Sequence, residues 1–147
     1  MRITIGADHA GFELKEAVKA HLAAAGHAVN DVGVYSTDCV DYPLIAAVVA
    51  REVASGAAEM GVMTCGTGLG MAIAANKVRG IRAVQVNDTE FAEIARKHND
   101  ANVVSLAGRF VDEAAAFAIL DTFLSTAFEG GRHQRRVDQI TAMECQP

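Results

Sequence analysis

Tryptophan is absent from the 147 residues, proline stands only at Pro43 and Pro147, and aromatic residues make up 5%. So little proline leaves no stiff linker at which the chain would divide into domains. Cysteine is also scarce. Cys39, Cys65 and Cys145 form no Cys-x-x-Cys pair, and no two histidines stand at metal-ligand spacing, which speaks against a disulfide framework or a structural zinc. No apolar run approaches the roughly 20 residues that a membrane-spanning helix needs. The opening MRITIGADHAGF lacks a basic segment followed by a long apolar one, so a cytoplasmic location is expected. Excess positive charge is missing as well: thirteen Lys and Arg against eighteen Asp and Glu give a net charge of −5, which suits neither nucleic acid nor an anionic membrane. An anionic ligand would therefore be small.

Apolar residues are plentiful at 51%, and charged ones account for 21%, the balance of a folded globular protein. Short runs rich in β-branched residues recur at Ile3–Ile5, Ala28–Val32, Met60–Thr64, Ile81–Val86 and Val103–Leu106. Between them apolar residues fall at helical spacing over Phe12–Ala25, Leu44–Ala54, Leu69–Ala75, Glu90–Lys97 and Glu113–Phe128. Strand alternating with helix predicts a five-stranded parallel sheet covered on both faces, a three-layer α/β/α Rossmann-like domain spanning 1–147. Gly26 and Gly56 are placed to end helices. A last segment, about 130–145, has apolar positions Val137, Ile140 and Met143 three apart behind a basic start, and predicts an appended helix whose stripe must cover its own domain or a second subunit.

Ligands of open parallel sheets bind beyond the carboxyl ends of the strands. On that edge the sequence places Asp8-His9, the loop Cys65-Gly66-Thr67-Gly68-Leu69-Gly70, Asn87-Asp88 and Gly108-Arg109. Three alternate glycines let the loop backbone approach a ligand with its N–H groups, as an anion site requires, or simply make a tight strand-to-helix turn. Helix N-termini favour a thiolate over a thiol, so Cys65 is a candidate base, the other reading being a small buried hydrophobe; Cys39 and Cys145 keep that second reading. Asp8-His9 could bond hydroxyls and move protons, or Asp8 could cap the helix beginning near Gly11. His98-Asn99-Asp100 ends a helix, where Asn99 could be the left-handed cap and His98 a favourable cation. Arg132 and Arg136, four apart, share one helix face and could grip a phosphate, or form a solvated surface; Arg135 points elsewhere. His21 and His27 receive no role.

Taken together, Gly6-Ala7-Asp8-His9-Ala10-Gly11-Phe12, Asp41-Tyr42-Pro43, Cys65 to Gly70 with Ala74-Ala75-Asn76-Lys77, Gly80-Ile81-Arg82-Ala83, His98-Asn99-Asp100 and Glu129-Gly130-Gly131-Arg132-His133 resemble the type B ribose-5-phosphate isomerases, grouped with the galactose- and allose-6-phosphate isomerases. The resemblance spans nearly the whole chain. It implies a metal-free, cofactor-free aldose–ketose isomerisation through an enediolate, with Cys65 as the base. Backbone N–H groups from Gly66 to Gly70, Leu69 included, would hold the oxyanion, and Thr67 would anchor the sugar. By the same resemblance His98 opens the furanose ring with Asp8 as counterpart, and His9 lies near the phosphate. Arg109, Arg132 and Arg136 bind the phosphate, Asn99 serves the oxyanion region and Tyr42 lines the pocket. The family is dimeric with sites shared at the interface, so a homodimer is expected, with its further association into a dimer of dimers left open, and with no nucleic-acid or membrane partner.

Two other readings stay open on the residues. Gly66-x-Gly68-x-Gly70 with Asp88 downstream could belong to a nucleotide-binding regulatory module, although Met71 occupies the third position of the dinucleotide fingerprint. Cys65 with His98 could serve a cysteine hydrolase or thiol transferase. Within the isomerase reading, ribose 5-phosphate is the default substrate and a six-carbon aldose phosphate the alternative.

Overall fold

The structure, a computed structural model, describes residues 1–144; Cys145 and the end of the expected last helix lie outside the described residues. Five strands, β1 (Arg2–Ala7), β2 (Ala28–Asp31), β3 (Met60–Cys65), β4 (Ala83–Gln85) and β5 (Val103–Ala107), form one parallel sheet in the order β2-β1-β3-β5-β4. In β1, β3 and β5 nearly every residue is buried, whichever face it points to, as expected for strands sandwiched between helices. The helices are α1 (Phe12–Ala24), α2 (Tyr42–Ala54), α3 (Leu69–Ala75), α4 (Thr89–Asn99), α5 (Glu113–Ser125) and α6 (Arg132–Met143).

Two cores flank the sheet. Leu14, Val18 and Leu22 of α1 pack with Ile119, Leu120 and Phe123 of α5 and Ala92 and Ala95 of α4 on one face. Ala46, Val49 and Ala50 of α2 pack with Met71, Ala72 and Ala75 of α3 on the other. After β1 the chain turns to the first face, and after β3 to the second. These diverging exits from adjacent strands open a crevice at their carboxyl ends.

The five expected strands and six helices all form. Gly26 and Gly56 take positive φ, +85° and +78°, at the ends of α1 and α2. Differences have local causes. Helix α2 begins two residues before the expected Leu44, because Pro43 sits in its first turn, where a missing N–H costs nothing. Strand β4 is half the expected Ile81–Val86. The Ile81 N–H closes a turn onto Val78, and the Asn76 amide occupies both backbone groups of Ala83 on the open edge at 2.8 Å, ending the sheet there. The left-handed residue after α4 is Asp100 (φ +46°), not Asn99. Asp100 is held there by Arg82 and Arg96, each at 2.8 Å. No helix among the described residues is long and apolar enough to cross a membrane.

Candidate active site

Gly11 sets the spacing of the crevice. Its carbonyl accepts the Thr64 hydroxyl at 2.8 Å. Its Cα lies so close to β3 that a Cβ would stand 2.2 Å from the Thr64 carbonyl oxygen. The loops after β1 and β3 are thereby drawn together around a cavity of about 300 Å³ lined by Asp8, His9, Tyr42, Cys65, Thr67 and Arg109, with Ala10, Gly66 and Gly70 between them. A larger hollow of about 440 Å³ beside Arg2, Val29 and Glu52 gathers no histidine or cysteine.

Asp8 shapes the turn that leads into α1. Its Oδ1 accepts the N–H groups of Ala10 and Gly11, each at 2.9 Å, while the residue also faces the cavity. The His9 Nδ1 accepts the Val40 N–H at 3.4 Å, tying the ring to the segment before α2. Cys65 is 4% exposed and packs in the core with Met63 and Met71, yet it reaches the cavity wall. Gly68, with φ +76°, turns its N–H onto the Cys65 sulfur at 3.0 Å, a contact that suits an anion. Its carbonyl is anchored by the buried Ser105 hydroxyl at 2.7 Å. Gly66 and Gly70 leave room for side chains of the pocket: a Cβ on Gly66 would lie 3.2 Å from the Arg109 guanidinium carbon, and one on Gly70 would lie 2.6 Å from the Tyr42 ring.

The loop does not present all its N–H groups to a ligand, as the resemblance implies. Gly68 donates to sulfur and Leu69 to the Thr67 hydroxyl at 3.4 Å, while the Leu69 side chain is 56% exposed in a neighbouring hollow with Gln85 and Phe110. Asp88, the acid of the nucleotide-module reading, accepts the Phe91 N–H at 2.8 Å and caps α4.

The remaining expected site residues are elsewhere. Helix α4 runs against the strands and ends at their amino edge, where Arg82 donates to the Asn99 carbonyl at 3.0 Å. There His98 stacks on His133 of α6, ring centroids 4.1 Å apart and planes 7° apart. Arg132 and Arg136 are exposed on the same helix as His133. Within one chain Cys65 and His98 therefore occupy opposite ends of the sheet, which removes the single-chain Cys–His hydrolase reading.

His133, next to Arg132 in the Glu129–His133 motif, received no role in the sequence reading and here stands against His98. Ligand-type atoms of His98, Glu129 and His133 lie within 4.8 Å of one another. Stacked rings direct their in-plane lone pairs side by side rather than to a common point, and the Arg132 Nε stands 3.4 Å from the His133 ring, so the trio is built poorly for a cation. Burial, then the charges of His98, Arg132 and Arg136, hold the His133 ring below the ordinary histidine value of 6.5, with Glu129 opposing. The unfolded ring therefore takes up its proton first, and stability falls as pH drops from 6.5 towards the lowered folded value. Thermal melting between pH 7 and pH 5 should show a falling Tm that His133→Gln flattens; an equal fall in the variant would exclude the ring as the cause.

Comparison with known proteins assigns the class. The family described as Ribose/Galactose Isomerase matches residues 3–140, and the chain belongs to it. A protein of Escherichia coli named ribose-5-phosphate isomerase B is 46% identical over 97% of this chain and 96% of its own. The solved structure of ribose-5-phosphate isomerase B from Clostridium thermocellum superimposes with a TM-score of 0.98 at 44% identity, over 99% of this chain and 98% of that one. One from Mycoplasma genitalium with bound ribulose-5-phosphate gives 0.96 at 41% identity, over 99% and 97%.

Proposed function

We propose that this chain, as one domain over 1–147, interconverts ribose 5-phosphate and ribulose 5-phosphate with Cys65 as the base. The observation that carries the proposal is the Cys65 sulfur at a cavity wall beside a glycine loop, in a chain of this family. A carbon acid next to a carbonyl is weak, so the reaction needs a positioned base and stabilisation of the oxygen that becomes negative. In the open-chain aldose the thiolate takes the C2 proton, the C2–H electron pair forms the C1–C2 double bond, and the carbonyl pair moves to O1. The resulting enediolate passes the O2 proton to O1, and the thiol returns its proton to C1 as the C2 carbonyl forms. The N–H groups of Gly66, Thr67 and Gly70 are the loop donors not engaged within the described residues, and they would hold the oxyanion. Thr67 would orient the sugar, with Tyr42 along its flank. Asp8 would assist ring opening, and His9 and Arg109 would meet the phosphate.

His98, Asn99, Arg132 and Arg136 complete this site only if a second copy presents its amino edge to the first copy's cavity, which a homodimer allows. Exposed apolar side chains beside the cavity support such pairing: Leu44 (70%) on α2, and Leu69 (56%) and Ile73 (64%) one turn apart on α3. Arg132 and Arg136, one turn apart on α6, then clamp the phosphate.

Ketose formation measured across aldose phosphates tests the reading, with ribose 5-phosphate expected to lead; turnover confined to allose or galactose 6-phosphate would transfer it to the six-carbon sugars. Free ribose should be a poor substrate. Arg132→Ala or Arg136→Ala should raise KM about tenfold or more while kcat changes little, since a charge-assisted bond contributes about 1.5–3 kcal/mol. Equal efficiency on ribose and its phosphate would remove the clamp.

A further inference from the structure

The largest wholly buried side chain is a cation with no place in that mechanism. Lys15, on the first turn of α1, is fully buried. Its Nζ donates to both carboxylate oxygens of Asp31, at 2.9 and 2.8 Å, and to the Val34 carbonyl at 2.7 Å, with the Glu16 carboxylate at 2.9 Å. The rings of Phe12 and Tyr35 stand over it at 5.4 and 5.2 Å. A buried ammonium is retained only where such partners replace water, and a purely structural position would be filled as well by an apolar residue.

Glu16 and Phe12 share α1 with Lys15, while Asp31, Val34 and Tyr35 belong to the segment that leaves β2 and crosses back beside β1. There Ala7 donates to the Gly33 carbonyl at 2.7 Å and accepts the Val34 N–H at 3.0 Å. Ala7 precedes Asp8. The same segment continues to Val40, whose N–H bonds the His9 ring. Asp31 also accepts the Gly33 N–H at 3.0 Å and the Lys19 ammonium at 2.7 Å, so the segment is tied at its root.

We infer that Lys15 is a positioning residue, whose buried ammonium binds the 31–34 segment to α1 and so holds Asp8 and His9 in place over the cavity. It touches no substrate and acts through backbone and His9. Its kinetic consequence rests on the isomerase reading above; its structural consequence does not.

The test compares wild type, Lys15→Met and the double variant Lys15→Met with Asp31→Asn, which removes the stranded carboxylate and keeps an isosteric side chain. Tm, kcat and KM for ribose 5-phosphate, and the imidazole nitrogen NMR signals of His9, assigned with His9→Gln, are recorded for each. The double variant should regain most of the Tm lost in the single one, yet keep KM about tenfold above wild type with kcat within about threefold, as small misplacement of binding groups predicts. The His9 signals should shift in both variants. A double variant with wild-type KM and unshifted His9 signals overturns the inference, and so does one that cannot fold, since the pair would then be a structural necessity. If wild type does not isomerise ribose 5-phosphate, the isomerase reading falls, and the His9 signals alone decide the role of Lys15.

Discussion

Cys65→Ala should fold like the parent chain and lose exchange of the substrate C2 proton with solvent. The side chain is small and nearly buried, and alanine removes one sulfur and the 3.0 Å contact from the Gly68 N–H, so little destabilisation is expected. Catalysis should suffer far more. Positioned proton transfer contributes about 10²–10⁴-fold, and kcat should fall by that order while KM is nearly retained, because the phosphate contacts are untouched. Isotope exchange at C2, followed in deuterated water with ribose 5-phosphate, reads the step directly. Undiminished exchange would exclude the thiol as base and leave a carboxylate to be sought, with Asp8 the one on the cavity wall.

The second large effect is on folding. Gly11→Ala places a methyl group 2.2 Å from the Thr64 carbonyl oxygen, 2.3 Å from its carbon and 2.7 Å from the Cys65 nitrogen. All three atoms are backbone of β3, which pairs with β1 on one side and β5 on the other, so no rotamer change relieves the clash. Either α1 lifts from the sheet or β3 shifts in register with both neighbours. The expected cost is about 4 kcal/mol or more, at the severe end for a single substitution, read as a lowered urea midpoint. An unchanged midpoint would mean that α1 sits further from β3 than described. Activity measured on any folded fraction should fall as well, since the same contact closes the cavity between the two loops.

The fold was legible in the sequence because alternation of apolar runs and helical periods survives without any tertiary information. The carboxyl-edge half of the candidate site was legible for the related reason that topology alone carries Asp8, Cys65 and Arg109 to one edge, where they line one cavity. Two features were not. Which loop N–H groups stay open depends on hydrogen bonds made by Cys65 and Thr67 to their own loop, at separations that residue spacing does not encode. Nor could spacing reveal that His98 and Arg132 end at the opposite edge from Cys65: a motif marks that residues matter and not that they meet in one chain. Lys15 escaped for a third reason. A lysine on a helix reads as a solvated charge, and only the path of the 31–34 segment over its end makes it an interior residue.

That separation of the two residue groups has a further meaning under the two-copy arrangement proposed above. Each chain would be donor at one end and recipient at the other, and a symmetric pair would exchange both services at once. A lesion confined to the cysteine end leaves the histidine end fit to lend. Two inactive sequences, one damaged at each end, could thus rebuild a working centre when mixed, and impairment in a mixed population would follow pairing statistics rather than the sum of the individual defects.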